Sequence, residues 1–256
     1  MKHHRLTGHY RSRHESLIAF SNNHYYENSL VTYPSSDTKG SAVELHRVGG
    51  VYSKGKNRNN PIEAQAVCDF IVKTLKERKG KNLSLGVVTL NSEQQRCIED
   101  LLDEKRRTHG ELEKYFQATD DYDPIFVKNL ESVQGDERDI IIMSLGYGPT
   151  ELVGKTMSMN FGPLNKQGGE RRLNVAITRA TSEMHIFSSF DPYMIDMSRT
   201  SALAVQHLKN FLEFAERGPI ALAEYTAAES GVDQFDSYVK EAVAIALRAR
   251  GWKIQT

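Results

Sequence analysis

Residues 154–156 read Gly-Lys-Thr, the sequence that ends a phosphate-binding P-loop. The first glycine of such a loop would stand at position 149, which is Pro149. A proline offers no backbone N–H to a phosphate, and Gly162 and Pro163 follow too soon for the helix whose N-terminus would hold it. The spacing therefore argues against a nucleotide-phosphate site formed by this chain alone.

Three other segments carry arginine, glutamine and acidic residues at the edges of predicted strands or helices. In chain order they are LTGHYRSRHESLIAFSNNHYY (6–26), VKNLESVQGDERDIIIMSLGY (127–147) and GGERRLNVAITRATSEMHIF (168–187). A guanidinium is permanently charged and can donate to two oxygens at once. Arginines placed in this way suit the recognition of a phosphate.

These segments resemble motifs IV, V and VI of superfamily 1 helicases, in that order. The third nearly matches the family pattern R-x-N-V-A-x-T-R-A. The segment 85–95 is similar to an intervening strand that usually ends in Thr-Pro-Tyr, with Leu90 and Asn91 in place of the last two residues. The resemblance covers residues 6–190 and is closest to the branch of the nonsense-mediated-decay RNA helicases and their bacterial relatives. It implies the second RecA-like domain of such an enzyme.

The resemblance implies two catalytic arginines. In this family ATP and Mg²⁺ lie between two RecA-like domains, of which the first holds the phosphates and the metal ion. The second domain supplies arginines that neutralise charge developing on the γ-phosphate. Arg11 and Arg179 match those arginines, and Arg179 is expected within a helix. Tyr10, by its motif position, would stack near the adenine.

The second motif is expected to contact the nucleotide. By resemblance, Glu137 is the acidic residue that accepts a hydrogen bond from the ribose. Gly135 lets the backbone approach the nucleotide closely. Gln134 lies where the family couples the nucleotide to the nucleic-acid backbone. Alone, Gln134 would be an ordinary loop residue, as would Ser132.

The implied macromolecular partner is a single-stranded nucleic acid, with DNA favoured over RNA. Its implied contacts are Thr89, Asn91 and Ser132. The other partner is the first RecA-like domain of the same parent chain. No metal ligand is predicted, because Cys68 and Cys97 have no second cysteine or suitably spaced histidine nearby. The Mg²⁺ would be shared with the missing domain.

Strand-like and helix-like segments alternate along the chain. Predicted strands cover 42–52, 83–90, 125–130, 139–147 and 183–190, and a predicted helix covers 170–181. Pro61 opens a second helix that Gly80 ends, and Ser92 caps a third that runs to about Arg107. The alternation predicts a three-layer α/β domain with a parallel sheet. The resemblance implies that this domain is RecA-like and of P-loop NTPase type, but without its own P-loop.

The functional loops are expected at the carboxyl ends of the strands, where open α/β sheets bind their ligands. We therefore expect Tyr10, Arg11, Glu137 and Arg179 to converge on that edge.

Three units are predicted: a RecA-like domain over 1–195, a helical connector over 196–230 and the start of a following domain over 231–256. The connector contains a helix ending at Gly218 and then a polar, Ala-rich link. The last unit resembles the opening of a restriction-endonuclease-like domain, with Asp236 where a Glu is usual. The chain is expected to stop inside that domain.

Charge and hydropathy set further bounds. Lys plus Arg and Asp plus Glu both number 33, so any contact with a polyanion must be local. No run approaches the ~18 apolar residues that a membrane helix needs, and the start lacks the apolar core of a signal peptide. We expect no membrane association and a cytoplasmic location.

The leading interpretation is the C-terminal motor domain of an ATP-dependent DNA or RNA helicase, inactive alone because it lacks the Walker A and B motifs. The alternative is a non-catalytic α/β module that binds nucleic acid or protein. Intact Arg11, Glu137 and Arg179 favour the motor, because only ATP hydrolysis needs them. A nuclease would need an acidic metal cluster, and the acids of 118–123 lie on a predicted solvent-exposed loop.

Overall fold

The computed structural model describes residues 8–32, 40–55, 57–78, 83–118, 123–151 and 157–230, with side chains as far as 226. The strands are β1 (Gly8–His9), β2 (Val31–Thr32), β3 (Val43–Arg47), β4 (Leu85–Thr89), β5 (Phe126–Asn129), β6 (Arg138–Ser144) and β7 (Ala180–Ser188). The helices are α1 (Ser16–Tyr26), α2 (Pro61–Glu77), α3 (Ser92–Thr108), α4 (Gly169–Ile177), α5 (Leu203–Arg217) and α6 (Pro219–Ser230). Single turns of 3₁₀ helix cover Gly110–Tyr115, Gly162–Asn165, Pro192–Met194 and Met197–Arg199.

The main sheet has five strands in the order β3-β7-β6-β4-β5, and every neighbouring pair is parallel. Apolar runs fill its centre, because the strands of a parallel sheet are covered by helices on both faces. All five residues of β4 are buried, as is the segment Ile140–Ser144 of β6. One apolar cluster lies between the sheet and α1, α4 and α5, and another between the sheet and α2 and α3. The predicted three-layer α/β fold is confirmed.

The two long helices begin where the sequence predicts, with one correction. Asn60 caps α2 by accepting from the backbone N–H of Glu63 at 3.1 Å. The cap of α3 is Asn91 rather than Ser92, because the Asn91 side chain accepts from the N–H of Gln94 at 2.7 Å. The predicted stop at Gly80 lies outside the described residues.

The boundary between α4 and β7 differs from the prediction. The helix ends at Ile177 and the strand starts at Ala180, so Arg179 lies in the turn between them. The Thr178 hydroxyl donates to the carbonyl of Asn174 at 2.8 Å and to that of Val175 at 3.1 Å. The Arg179 carbonyl accepts from the N–H of Arg138 at 3.2 Å, which already belongs to the pairing of β6 with β7. Pairing with β6 thus ends the helix earlier than its apolar pattern suggests.

The C-terminal segment is helical almost throughout its described part. Helix α5 ends at Gly218, as predicted, but α6 follows at once where we expected a polar link. The buried side chains of α5, Phe211 and Leu212 among them, belong to the same apolar cluster as the sheet. The predicted start of a following domain, with Asp236, lies outside the described residues. So does the Gly-Lys-Thr segment 154–156.

Strand β3 is shorter than the predicted 42–52 and lies at the edge of the sheet. The small parallel sheet of β1 and β2 was not predicted from the sequence. This small sheet fixes the residues that precede Arg11 in the sequence. The loop that carries Arg11 then leads into α1.

Candidate functional site

An ion pair between Arg11 and Glu137 marks the first candidate site. Arg11 follows β1, and Glu137 directly precedes β6. The Arg11 Nε lies 2.6 Å from Oε2 of Glu137, with 36% and 54% of the two side chains exposed. Both groups are therefore open to a ligand that arrives from solvent.

Arg179 lies in the same cluster but is more deeply set. Its Nε donates to the carbonyl of Val175 at 2.8 Å, and its Nη1 donates to the carbonyl of Asp136 at 3.2 Å. Burial and the positive charge of Arg11 lower the pKa of Arg179, while Glu137 opposes that shift. An arginine remains charged under such shifts. The cluster therefore brings two guanidinium groups and one carboxylate together.

A polar cleft of about 500 Å³ opens beside these residues. It is lined by Tyr10, Arg11, Arg13, Ser84, Asp123, Glu137, Arg138, Asp139 and Thr181. Tyr10 is 90% exposed, so its ring is available to a planar ligand. Burial alone would raise the pKa of Asp139, but hydrogen bonds from Ser84 and Thr181 and the charge of Arg13 lower it. The cleft therefore presents both positive and negative groups.

The cleft lies at the amino ends of the strands, which corrects the expectation that its residues would meet at the carboxyl ends. Glu137 directly precedes β6, Arg179 directly precedes β7, and Ser84 directly precedes β4. The structure does bring Tyr10, Arg11, Glu137 and Arg179 together. Their edge follows from the order of elements, since Glu137 and Arg179 each precede a strand instead of following one.

The segment 130–137 connects the two ends of the sheet. It leaves the carboxyl end of β5, passes β4 and enters the amino end of β6. Parallel crossovers commonly take a dozen or more residues, and this one is shorter. Val133 anchors it in the core, and Lys128 Nζ lies 2.6 Å from Oδ2 of Asp136. Gln134 is exposed in this crossover, and so is Gly135, at a φ of 93°.

The three predicted nucleic-acid contacts lie near the carboxyl ends, away from the arginine cluster. Thr89 is buried and donates to the carbonyl of Asn91 at 2.7 Å. Asn91 is buried too, capping α3 and donating to the carbonyl of Arg58 at 3.2 Å. Ser132 is exposed in the crossover and bonds the backbone of Asn129. A cleft of about 280 Å³, lined in part by Arg58 and Asn91, opens at this end.

A buried carboxyl group that the sequence reasoning missed lies close to the same end. Glu63 is fully buried and accepts from the Ser144 hydroxyl at 2.8 Å, the Gly146 N–H at 2.7 Å and the Ser189 hydroxyl at 2.8 Å. Burial raises the pKa of Glu63 to about 7, against the opposing effect of those hydrogen bonds. Asn60 followed by Glu63 is the spacing of a capping box, which could have drawn attention to it.

Within the described part of the chain, no helix is both long and apolar enough to cross a membrane.

The fold and the site together define an α/β domain whose arginines face a polar cleft at one end of a parallel sheet. A model of the family described as "AAA domain" (AAA_12) matches residues 1–191. The chain belongs to this family.

Two curated relatives are named as helicases. The chain is 37% identical over 216 residues to "Uncharacterized ATP-dependent helicase MG140" of Mycoplasma genitalium, covering 82% of this chain and 18% of that protein. It is 38% identical over 187 residues to the homologue from Mycoplasma pneumoniae, covering 72% of this chain and 16% of that protein. The chain therefore spans less than a fifth of either relative.

Among solved structures, one similar chain is the C-terminal domain of a possible DNA helicase from Lactobacillus plantarum WCFS1. The similarity covers 76% of this chain and 96% of that one, with 14% identity and a TM-score of 0.41.

Proposed function

We propose that this chain is the C-terminal motor domain of an ATP-dependent helicase and that its arginine cluster acts on ATP. The observation that carries the proposal is the pairing of Arg11 with Glu137 in one polar cleft, with Arg179 near enough for both charges to shift its pKa. The names of the two relatives as ATP-dependent helicases support it. ATP and Mg²⁺ are shared with the first RecA-like domain of the parent, which holds the phosphates and the metal ion.

The arginines stabilise charge that develops on the γ-phosphate during transfer. Glu137 forms an ion pair with Arg11 and neutralises its charge. When ATP binds, a phosphate oxygen replaces Glu137 as the partner of Arg11. The Glu137 carboxylate is then free to accept a hydrogen bond from the ribose. Arg179 uses its remaining N–H groups on the phosphate while its Nε stays on the carbonyl of Val175. Tyr10 stacks near the adenine, and Gln134 and Gly135 approach the nucleotide through the crossover.

The nucleic-acid strand lies at the opposite end of the sheet. Because the side chains of Thr89 and Asn91 are already bonded within the protein, they shape this surface instead of offering free groups to a ligand. Ser132 is the exposed member of the three and contacts the strand directly. We take single-stranded DNA as the partner in preference to RNA.

The domain limits of this proposal are 1–195 for the RecA-like domain, 196–230 for the helical connector and 231–256 for the start of a following domain. The connector packs against the RecA-like domain, because Phe214 of α5 and Ala221 of α6 are buried in the apolar cluster that they share with the sheet.

The test is the ATPase activity of the full-length parent at saturating ATP and single-stranded DNA. Arg179→Ala and Arg11→Ala should each lower kcat by about 10³-fold or more, since an arginine aimed at the transferred phosphoryl group contributes 10³ to 10⁵ in rate. Arg179→Lys should recover little of that loss, because an ammonium lacks the bidentate fork.

The matched control is Arg171→Ala on the adjacent helix, whose side chain is 88% exposed. It should leave turnover unchanged. Near-normal kcat in both Arg11→Ala and Arg179→Ala would reject the motor proposal and favour a non-catalytic binding module.

A further inference from the structure

A second polar cluster lies on the edge strand β3 and its neighbour β7. Glu44 and His46 are two residues apart on β3 and so share one face of the sheet. Glu44 is paired in register with His185 of β7. The sheet thus brings one carboxylate and two imidazoles to one place, far along β7 from the turn that holds Arg179.

The ligand atoms of this cluster are spaced as they would be around a single metal ion. His46 Nε2 lies 3.0 Å from His185 Nδ1, which lies 3.5 Å from Oε2 of Glu44. His46 Nε2 lies 3.8 Å from Oε1 of Glu44. With metal–ligand bonds of about 2.0–2.2 Å, adjacent ligand atoms are about 3 to 3.6 Å apart. The Glu44 side chain is 64% exposed and can close the longest gap by a small rotation.

A carboxylate behind His185 favours one tautomer of its ring. His185 Nε2 lies 3.2 Å from Oε2 of Glu183. Arg78 donates to both oxygens of Glu183, at 3.0 and 2.7 Å, which keeps that group an ionised acceptor. His185 therefore donates from Nε2 and presents the lone pair of Nδ1 to His46 and Glu44. A histidine that binds a metal through one nitrogen usually donates from the other to such an acceptor.

Aromatic rings hold the two histidines in place. His46 stacks on Phe187 with 4.7 Å between ring centroids, and His185 lies 4.6 Å from Phe70 by the same measure. These rings close the cluster on the side of α2, and Glu44 leaves it open toward solvent. The rings thus fix the positions of the His46 and His185 nitrogens, whereas the Glu44 carboxylate can move.

We propose that Glu44, His46 and His185 bind one first-row divalent transition-metal ion, with Zn²⁺ the ion that two imidazoles and a carboxylate suit best. The ion joins the edge strand β3 to β7, and water completes its coordination. This site is independent of the arginine cluster and of the proposed motor function.

Titration calorimetry with ZnCl₂ tests the site on the full chain. His3 and His4, which are neighbours in the sequence, are replaced by alanine so that they do not compete for Zn²⁺. A non-thiol reductant is present. The expected result is one Zn²⁺ bound per chain. Glu44→Gln and His46→Ala should each weaken binding by at least about tenfold, and Glu183→Gln by about 10- to 100-fold through the orientation of His185.

The matched control is His109→Ala. His109 Nδ1 lies 3.6 Å from Glu111, an exposed histidine–carboxylate pair on another element, and its loss should leave Zn²⁺ affinity unchanged. Co²⁺ in place of Zn²⁺ should give ligand-field absorption in the visible without thiolate charge transfer. Circular dichroism checks that each variant is folded.

Three outcomes would overturn the site. One is the absence of saturable binding, which would leave the cluster as a hydrogen-bonded pair of histidines. Another is unchanged affinity in folded Glu44→Gln and His46→Ala. The third is a thiolate band with Co²⁺, which would move the ion to Cys68 or Cys97.

Discussion

Arg179 donates its Nη1 to the main-chain carbonyl of Asp136, 3.2 Å away. Arg179, which precedes β7 in the sequence, therefore also fixes the last part of the crossover 130–137, which precedes β6. A residue proposed to act on ATP thus also makes a structural contact. Its substitution should be visible in the stability of the isolated chain as well as in turnover.

Arg179→Ala should lower the free energy of unfolding of the isolated chain by about 1–3 kcal/mol, because the carbonyls of Val175 and Asp136 lose a charged donor. Urea denaturation followed by circular dichroism measures this. Arg171→Ala, an exposed change on α4, should stay within about 0.5 kcal/mol of the wild type. Equal stability in the two variants would mean that Arg179 does not hold the crossover.

The purified chain should not hydrolyse ATP measurably, because it has no P-loop to hold the phosphates. A phosphate-release assay with and without single-stranded DNA measures this. Lys155→Ala serves as the diagnostic variant. Turnover in the wild-type chain that this substitution abolishes would show that the Gly-Lys-Thr segment was dismissed wrongly.

Glu63 should make stability fall as pH rises from about 4.5 to about 7. Its pKa is raised from 4.5 to about 7 in the folded chain, so the folded state binds the proton more tightly than the unfolded state does. The stabilising contribution is complete below the unfolded pKa and is lost as pH rises through the folded one. Over this window the loss should reach about 3 kcal/mol, at 1.36 kcal/mol for each pKa unit.

The comparison that isolates this effect is Glu63→Gln, which has no titrating group at this position. Urea denaturation of both chains at pH 5, 6, 7 and 8 gives the difference in the free energy of unfolding at each pH. Relative to the variant, the wild type should lose stability with rising pH. A pH-independent difference would contradict the shifted pKa.

Gly135→Ala should destabilise the chain by about 1 kcal/mol, because its φ of 93° is strained for any residue with a Cβ. No atom lies within 4 Å of the added Cβ, so the cost comes from the backbone alone. Thermal unfolding measures it. Gly55→Ala is the control, since that glycine has open space and no positive φ. Equal melting temperatures in the two variants would argue against strain at Gly135.

The sequence predicts the sheet well because its signals are local. The apolar runs of β4 and β6 and the Asn60-Pro61 start of α2 each identify an element without knowledge of its neighbours. The end of α4 is not local. It depends on the bond from Arg138 to the carbonyl of Arg179, across 41 residues of chain (179 minus 138), which no helical pattern contains.

The candidate site likewise has residues that the sequence predicts and contacts that only the fold creates. The motif resemblance selects Arg11, Glu137 and Arg179, but the edge of the sheet where they meet follows from the order of strands and loops. Glu63 was missed because its partners, such as Ser144 and Ser189, come from distant strands. The pairing of Glu44 with His185 likewise exists only once β3 lies against β7.

The shortness of the crossover 130–137 has a mechanical consequence. The strand it leaves and the strand it enters are fixed in one sheet, and Val133 and Asp136 are anchored along the way, so the segment has little slack. A displacement of Glu137 at one end would therefore have to be taken up by the few residues between it and Ser132. If binding at Ser132 and binding at Glu137 are coupled through this segment, a ligand at either residue changes the affinity of the other residue's ligand by the same factor. In the proposed function, the crossover 130–137 is the covalent link between the nucleotide surface and the nucleic-acid surface.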